Sequence, residues 1–82
     1  MDDPDRQTKL QALARCKEIG EKAYDDMYEA HSSSQATACY SDAKEAFYDA
    51  MRLARELSLS DEIAALEKRL EHIKSVFRSQ FS

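Results

Sequence analysis

The chain has one glycine, Gly20, one proline, Pro4, and no tryptophan among its 82 residues. Turns and sheets consume glycine and proline, so this shortage excludes a loop-rich or β-rich architecture. The only histidines, His31 and His72, stand three or four residues from no other His or Cys, whereas zinc requires three or four converging ligands; no metal is expected. There is no Gly-rich phosphate loop, no nucleophile with a base beside it, and no Glu-x-x-His pair of the kind di-iron helical bundles use. Arg15, Arg52, Arg55 and Arg69 fall off the apolar stripes, so no cationic cavity for an acidic substrate is indicated. The chain is therefore not expected to be an enzyme or to hold a cofactor.

Other absences narrow the partners. No run of Lys or Arg forms the clustered cations on which duplex binding depends, and the net charge is -4, so nucleic acid is not an expected partner. No stretch approaches the about 18 apolar residues of a membrane helix, and Met1-Asp2-Asp3 opens no apolar leader, which predicts no membrane association and a reducing, cytoplasmic setting.

What is present is apolar and charged in helical proportion. Hydrophobic residues make up 43% and charged residues 34%, too apolar for a disordered chain. A chain this short makes one core and buries only about 60 to 65% of its unfolded surface. Residues 1–82 are read as one helical domain.

The periodicity predicts a three-helix antiparallel up-down-up bundle, with helices at about 4–31, 35–58 and 61–80. Asp3-Pro4 supplies a cap and a proline at the first helical position. Leu10, Leu13, Cys16, Gly20, Ala23, Tyr24, Met27 and Ala30 then recur at steps of three and four. His31-Ser32-Ser33-Ser34 is the first turn, with Ser33 or Ser34 as the cap of helix 2. Ala36, Cys39, Tyr40, Ala43, Phe47, Ala50, Ala54 and Leu57 keep one phase along that helix. A second turn at Leu57-Ser58-Leu59-Ser60 supplies a Ser cap followed by Asp61 and Glu62. Helix 3 carries the stripe Ile63, Leu66, Leu70, Ile73, Phe77 and Phe81.

Folding the helices about these turns makes a register test possible. Facing residues have numbers adding to about 67 around the first turn and about 117 around the second, and in most of the layers this generates large faces small between helices 1 and 2, as dense packing requires. Gly20 meets Phe47 and Leu70; Met27 meets Tyr40 and Phe77; Leu10 meets Leu57 at one end, and Ala30, Ala36 and Phe81 close the other. A mid-helix glycine costs about 1 kcal/mol relative to alanine, so Gly20 is expected to make room for the Phe47 ring. A start of helix 2 at Ser41 is the alternative; it would pair Gly20 with Ala50.

In the preferred register Cys16 and Cys39 lie about 12 residues out of step, or roughly 18 Å. That exceeds the about 7 Å between Cα atoms that a disulfide allows, so both thiols are expected to be free. Glu21, Asp25 and Glu29 form a like-charged column with Asp26 beside it, which is either a docking stripe for a basic partner or a face answered by Lys74 and Arg78 of helix 3. Ile19, Tyr48 and Met51 remain after the core is assigned, with Ile19 level with Tyr48; they are the candidate partner-binding residues, or else they widen the core at its flanks.

Ala43-x3-Phe47-x2-Ala50 resembles the second helix of a tetratricopeptide repeat, and Ile19-Gly20 is faintly similar to the Leu-Gly pair of its first helix, whose aromatic has no counterpart upstream here. No period of about 34 residues accompanies it. The functional expectation is a small non-enzymatic protein-protein interaction or regulatory module, binding a protein partner or itself as a homodimer. The alternative is a small-molecule-binding or catalytic bundle with a core cavity near Gly20.

Overall fold

A computed structural model describes residues 4–80. It contains α1 (Pro4–Tyr28), α2 (Ser33–Glu56) and α3 (Ser60–Gln80), which run up, down and up as the all-α bundle that the periodicity predicts. The Asp3 cap and the Phe81 layer lie outside the described residues.

The turns differ in detail from the sequence expectation. α1 ends at Tyr28, short of His31, and its last turn holds no basic residue. Asp25, Asp26 and Glu29 crowd the negative end of the helix dipole, which disfavours extension. The chain leaves through tightened turns, Glu29 N–H donating to Asp26 C=O at 3.1 Å and Ala30 N–H to Met27 C=O at 3.3 Å. The cap of α2 is Ser32 rather than Ser33 or Ser34: its hydroxyl accepts from Gln35 N–H at 3.1 Å, and Gln35 Oε1 accepts from His31 N–H at 2.8 Å. This Ser-x-x-Gln arrangement is a variant of the capping box, with Gln35 reaching to the residue before the cap, and it satisfies donors that the helix cannot.

The second turn is a Schellman closure. Leu59 N–H donates to Ala54 C=O at 2.9 Å and Ser58 N–H to Arg55 C=O at 3.0 Å, with Ser58 in the left-handed region at φ 58 where glycine is usual. Ser60 is consequently not the cap of α3 but its first helical residue, and Leu59 C=O accepts the first bond, from Ile63 N–H at 3.0 Å.

One cluster of buried side chains runs along the bundle and includes Leu13, Tyr24, Met27, Phe47, Leu66, Leu70 and Ile73. α2 lies at its centre and packs on both neighbours; the α1–α2 seam is the closer, because Gly20, Ala23, Ala43, Ala46 and Ala50 line it and are all buried. The 67 register is the one adopted. A Cβ at Gly20 would stand 2.6 Å from Phe47 Cε2, so the ring fills the space that the missing side chain leaves. No core space is left between Gly20 and Phe47 for the cavity that the alternative function expects there. The spacing of Ala43, Phe47 and Ala50 follows from the same packing. Across the second turn Tyr40 and Phe77 stack at 4.0 Å between ring centroids with planes 7° apart, the pairing that the 117 register predicts. Cys16 and Cys39 are free thiols.

Candidate partner-binding groove

The α1–α2 hairpin has two long flanks, and α3 covers one. There the contact between α1 and α3 is made largely by long polar side chains. Arg69 clamps Glu21 with two hydrogen bonds, Nε to Oε1 at 2.6 Å and Nη2 to Oε2 at 2.7 Å, and its guanidinium lies 4.9 Å from the Tyr24 ring centroid. The Tyr24 hydroxyl sits 3.0 Å from that of Tyr28 and 3.3 Å from His72 Nε2. Burial, followed by the hydrogen bond with Tyr28, pushes Tyr24 up to about 12. The Glu21 hydrogen bond likewise raises Arg69. Nearer the other end, Lys17 Nζ meets the shielded Glu62 Oε1 at 2.6 Å, as an ion pair rather than an aligned hydrogen bond.

These contacts correct the expected charge pairing at Lys74. It is Arg69 that answers Glu21 of the acidic column. Lys74 turns to α2 instead, donating to the Tyr48 hydroxyl at 3.1 Å, a bond that raises its pKa.

The opposite flank of the hairpin is open. A groove of about 360 Å³ runs along it, lined by α1 and α2 alone. Cys16, Ile19, Ala23 and Ala46 give it an apolar lining, and Lys22, Asp26, Asp42, Glu45 and Asp49 supply its charges. The small residues that draw α1 and α2 together also make this lining shallow. Ile19 remains 48% exposed. The acids are weakly answered: Lys22 Nζ is 3.5 Å from Asp26, and Arg52 is 3.9 Å from Asp49. Asp42 and Glu45 are exposed, and neither makes an ion pair among the described residues. Burial and then the Asp49 charge push the Cys16 thiol up, which keeps it protonated and poorly nucleophilic.

The three residues left over by the sequence reading are thus separated. Ile19 belongs to the open groove. Tyr48 is 50% exposed but lies on the other side of α2, in a depression of about 280 Å³ between α2 and α3. Met51 borders that depression yet is buried, 4% exposed, and packs in the core. Register fixes height along a bundle, not the side of the helix, which is why Ile19 and Tyr48 read as neighbours. Of the groove acids only Asp26 had been singled out; those of α2 were missed for the same reason, although Asp42, Glu45 and Asp49 do stand three or four residues apart.

No helix among the described residues is long and apolar enough to cross a membrane. No protein-family model, curated protein or solved structure matches the chain.

Proposed function

We propose that the chain is a non-enzymatic protein-interaction module that engages its partner through the groove between α1 and α2. The observation that carries this reading is Ile19, a β-branched apolar side chain left half-exposed in an open groove beside Cys16, Ala23 and Ala46. A large aliphatic side chain flanked by small apolar residues and rimmed by charge is the composition of a modest docking surface. Tyr48 is a weaker candidate, since its hydroxyl and ring already engage Lys74, and Met51 offers a partner almost nothing.

The partner in this reading is another protein. The groove carboxylates would repel phosphate, which disfavours nucleic acid and anionic lipid surfaces. A reducing, cytoplasmic setting suits two thiols that do not meet. The test is a paired capture: the wild-type chain and Ile19→Asp, shown by circular dichroism to be equally helical, are used as baits in parallel. A protein retained by the first and lost from the second supports the reading. Identical recoveries, or none from either, overturn it.

A further inference from the structure

The identity of the partner can be taken one step further, resting on the reading of the groove just given. We infer that the groove receives a cationic amphipathic helix, one apolar stripe flanked by Lys or Arg, which would lie beside α1 and α2 as a fourth helix. Three observations converge on that occupant.

The first is shape. The α1 residues of the groove run from Cys16 to Asp26, roughly 15 Å at about 1.5 Å per residue, or nearly three turns of a helix laid alongside. The second is precedent within the molecule. The other flank of the same hairpin is already filled by a helix: α3 lays Leu66, Leu70 and Ile73 against the core and uses its flanking Arg69 and Lys74 to grip Glu21 and Tyr48. The hairpin is a receptor for an amphipathic helix on one side, and the open side presents the same pair of antiparallel backbones.

The third observation is charge. Asp26, Asp42, Glu45 and Asp49 stand against Lys22 in the groove, and among the described residues Asp42 and Glu45 make no ion pair. Cations on a docking helix would find carboxylates waiting, and steering by such a field speeds encounter. A second copy of this chain is the poorer occupant. Two such grooves meeting face to face would set carboxylate against carboxylate, and like charges across an interface oppose association.

The apolar lining is small, so the complex is expected to be weak, reversible and sensitive to salt. The probe is a synthetic helix-forming peptide of about 18 residues, five turns, with leucine on a three-four stripe and lysine on both flanks. Gln-flanked and Glu-flanked versions serve as comparators. Binding is read by fluorescence anisotropy and mapped by amide shifts of the full chain.

The lysine peptide should bind about tenfold more tightly than the glutamine one at low salt, a difference of about 1.4 kcal/mol, and the glutamate one should not bind. Shifts should centre on Ile19, Ala23 and Ala46. Asp42→Lys combined with Glu45→Lys, both at exposed positions, should erase the preference for lysine, and raised ionic strength should narrow it. Equal binding of the lysine and glutamine peptides, both abolished by Ile19→Asp, overturns the cationic partner while leaving the groove a docking surface. Failure of every peptide to shift the groove amides overturns the helical occupant; the groove reading then falls too only if the paired capture fails. A dimer that Ile19→Asp dissociates overturns the inference in favour of a second copy.

Discussion

The two flanks of the α1–α2 hairpin are built from different materials. The flank under α3 carries bulky residues, Tyr24, Met27, Tyr40 and Phe47, and on it aliphatic anchors from α3 are backed by a bidentate ion pair and a tyrosine-histidine network. The open flank carries Cys16, Ile19, Ala23 and Ala46 under a rim of carboxylates. Bulk and satisfied polar groups make a permanent contact; a shallow apolar strip with unanswered charge makes a surface that can be occupied and vacated. The difference separates residues that hold the fold from residues that the proposed docking would use, and substitutions on the two flanks should behave accordingly.

The largest effect is expected beneath α3. Ile73 is fully buried, and Ile73→Ala should cost about 2 to 5 kcal/mol by lost transfer energy and the cavity left behind, a large share of the total stability of a domain this small. Urea denaturation followed by circular dichroism reads it. A cost below about 1 kcal/mol would mean that α3 is not anchored as its burial indicates and would dissolve the contrast between the flanks.

Next in size is the seam that both flanks share. Gly20→Ala gains helix propensity worth about 1 kcal/mol, yet its Cβ would meet the buried Phe47 ring at 2.6 Å. Overpacking of this kind costs about 1 to 3 kcal/mol, so the net change should be destabilising. Phe47→Leu in the same chain should relieve part of it, giving a double-mutant coupling of about 0.5 kcal/mol or more. Additivity would sink the claim that this glycine exists for that ring.

These two sites also show what was legible in the sequence. The Gly20–Phe47 contact followed from matching large to small side chains at equal height and the Tyr40–Phe77 contact from equal height about the second turn, because a bundle core is filled layer by layer. Height was readable; direction around the helix was not. Leu53 was missed as a core residue, and Met51 was placed only as a possible widening of the core at its flank, because α2, packed on two neighbours, buries a wider arc than a single stripe suggests. Arg69 was set aside for lying off the stripe, although a guanidinium on a long stem reaches across a gap that separates backbones. The Ser32 cap and the Ser58 closure were placed within one or two residues, the ordinary limit where several serines compete for one role.

A smaller effect is expected from the tyrosine network, and it has a sign in pH. Tyr24 is held near 12 in the fold, above the about 10 of an unperturbed phenol. A group that keeps its proton more firmly when folded stabilises the fold fully below about pH 10, and that contribution is lost as pH rises from about 10 toward about 12. Lys74, also raised, acts in the same direction. Urea midpoints should therefore fall over that window, and Tyr24→Phe should lower stability at neutral pH by about 1 kcal/mol while flattening the alkaline slope. An unchanged slope would exclude Tyr24 as its source.

The smallest effect on stability, and the sharpest contrast, belongs to the open rim. Asp42 is exposed and shares the groove with Asp26, Glu45 and Asp49; like charges gathered in this way oppose the compact state, by little in water and less in salt. Asp42→Lys should thus leave the fold unchanged or raise its stability by up to about 0.5 kcal/mol, the reverse of what Ile73→Ala does. A substitution that strengthens the fold while weakening the lysine peptide would show that the chain carries this carboxylate at a cost to its own stability, as residues kept for function commonly are. A loss above about 1 kcal/mol would instead make Asp42 a structural residue, and the two flanks would differ only in what covers them.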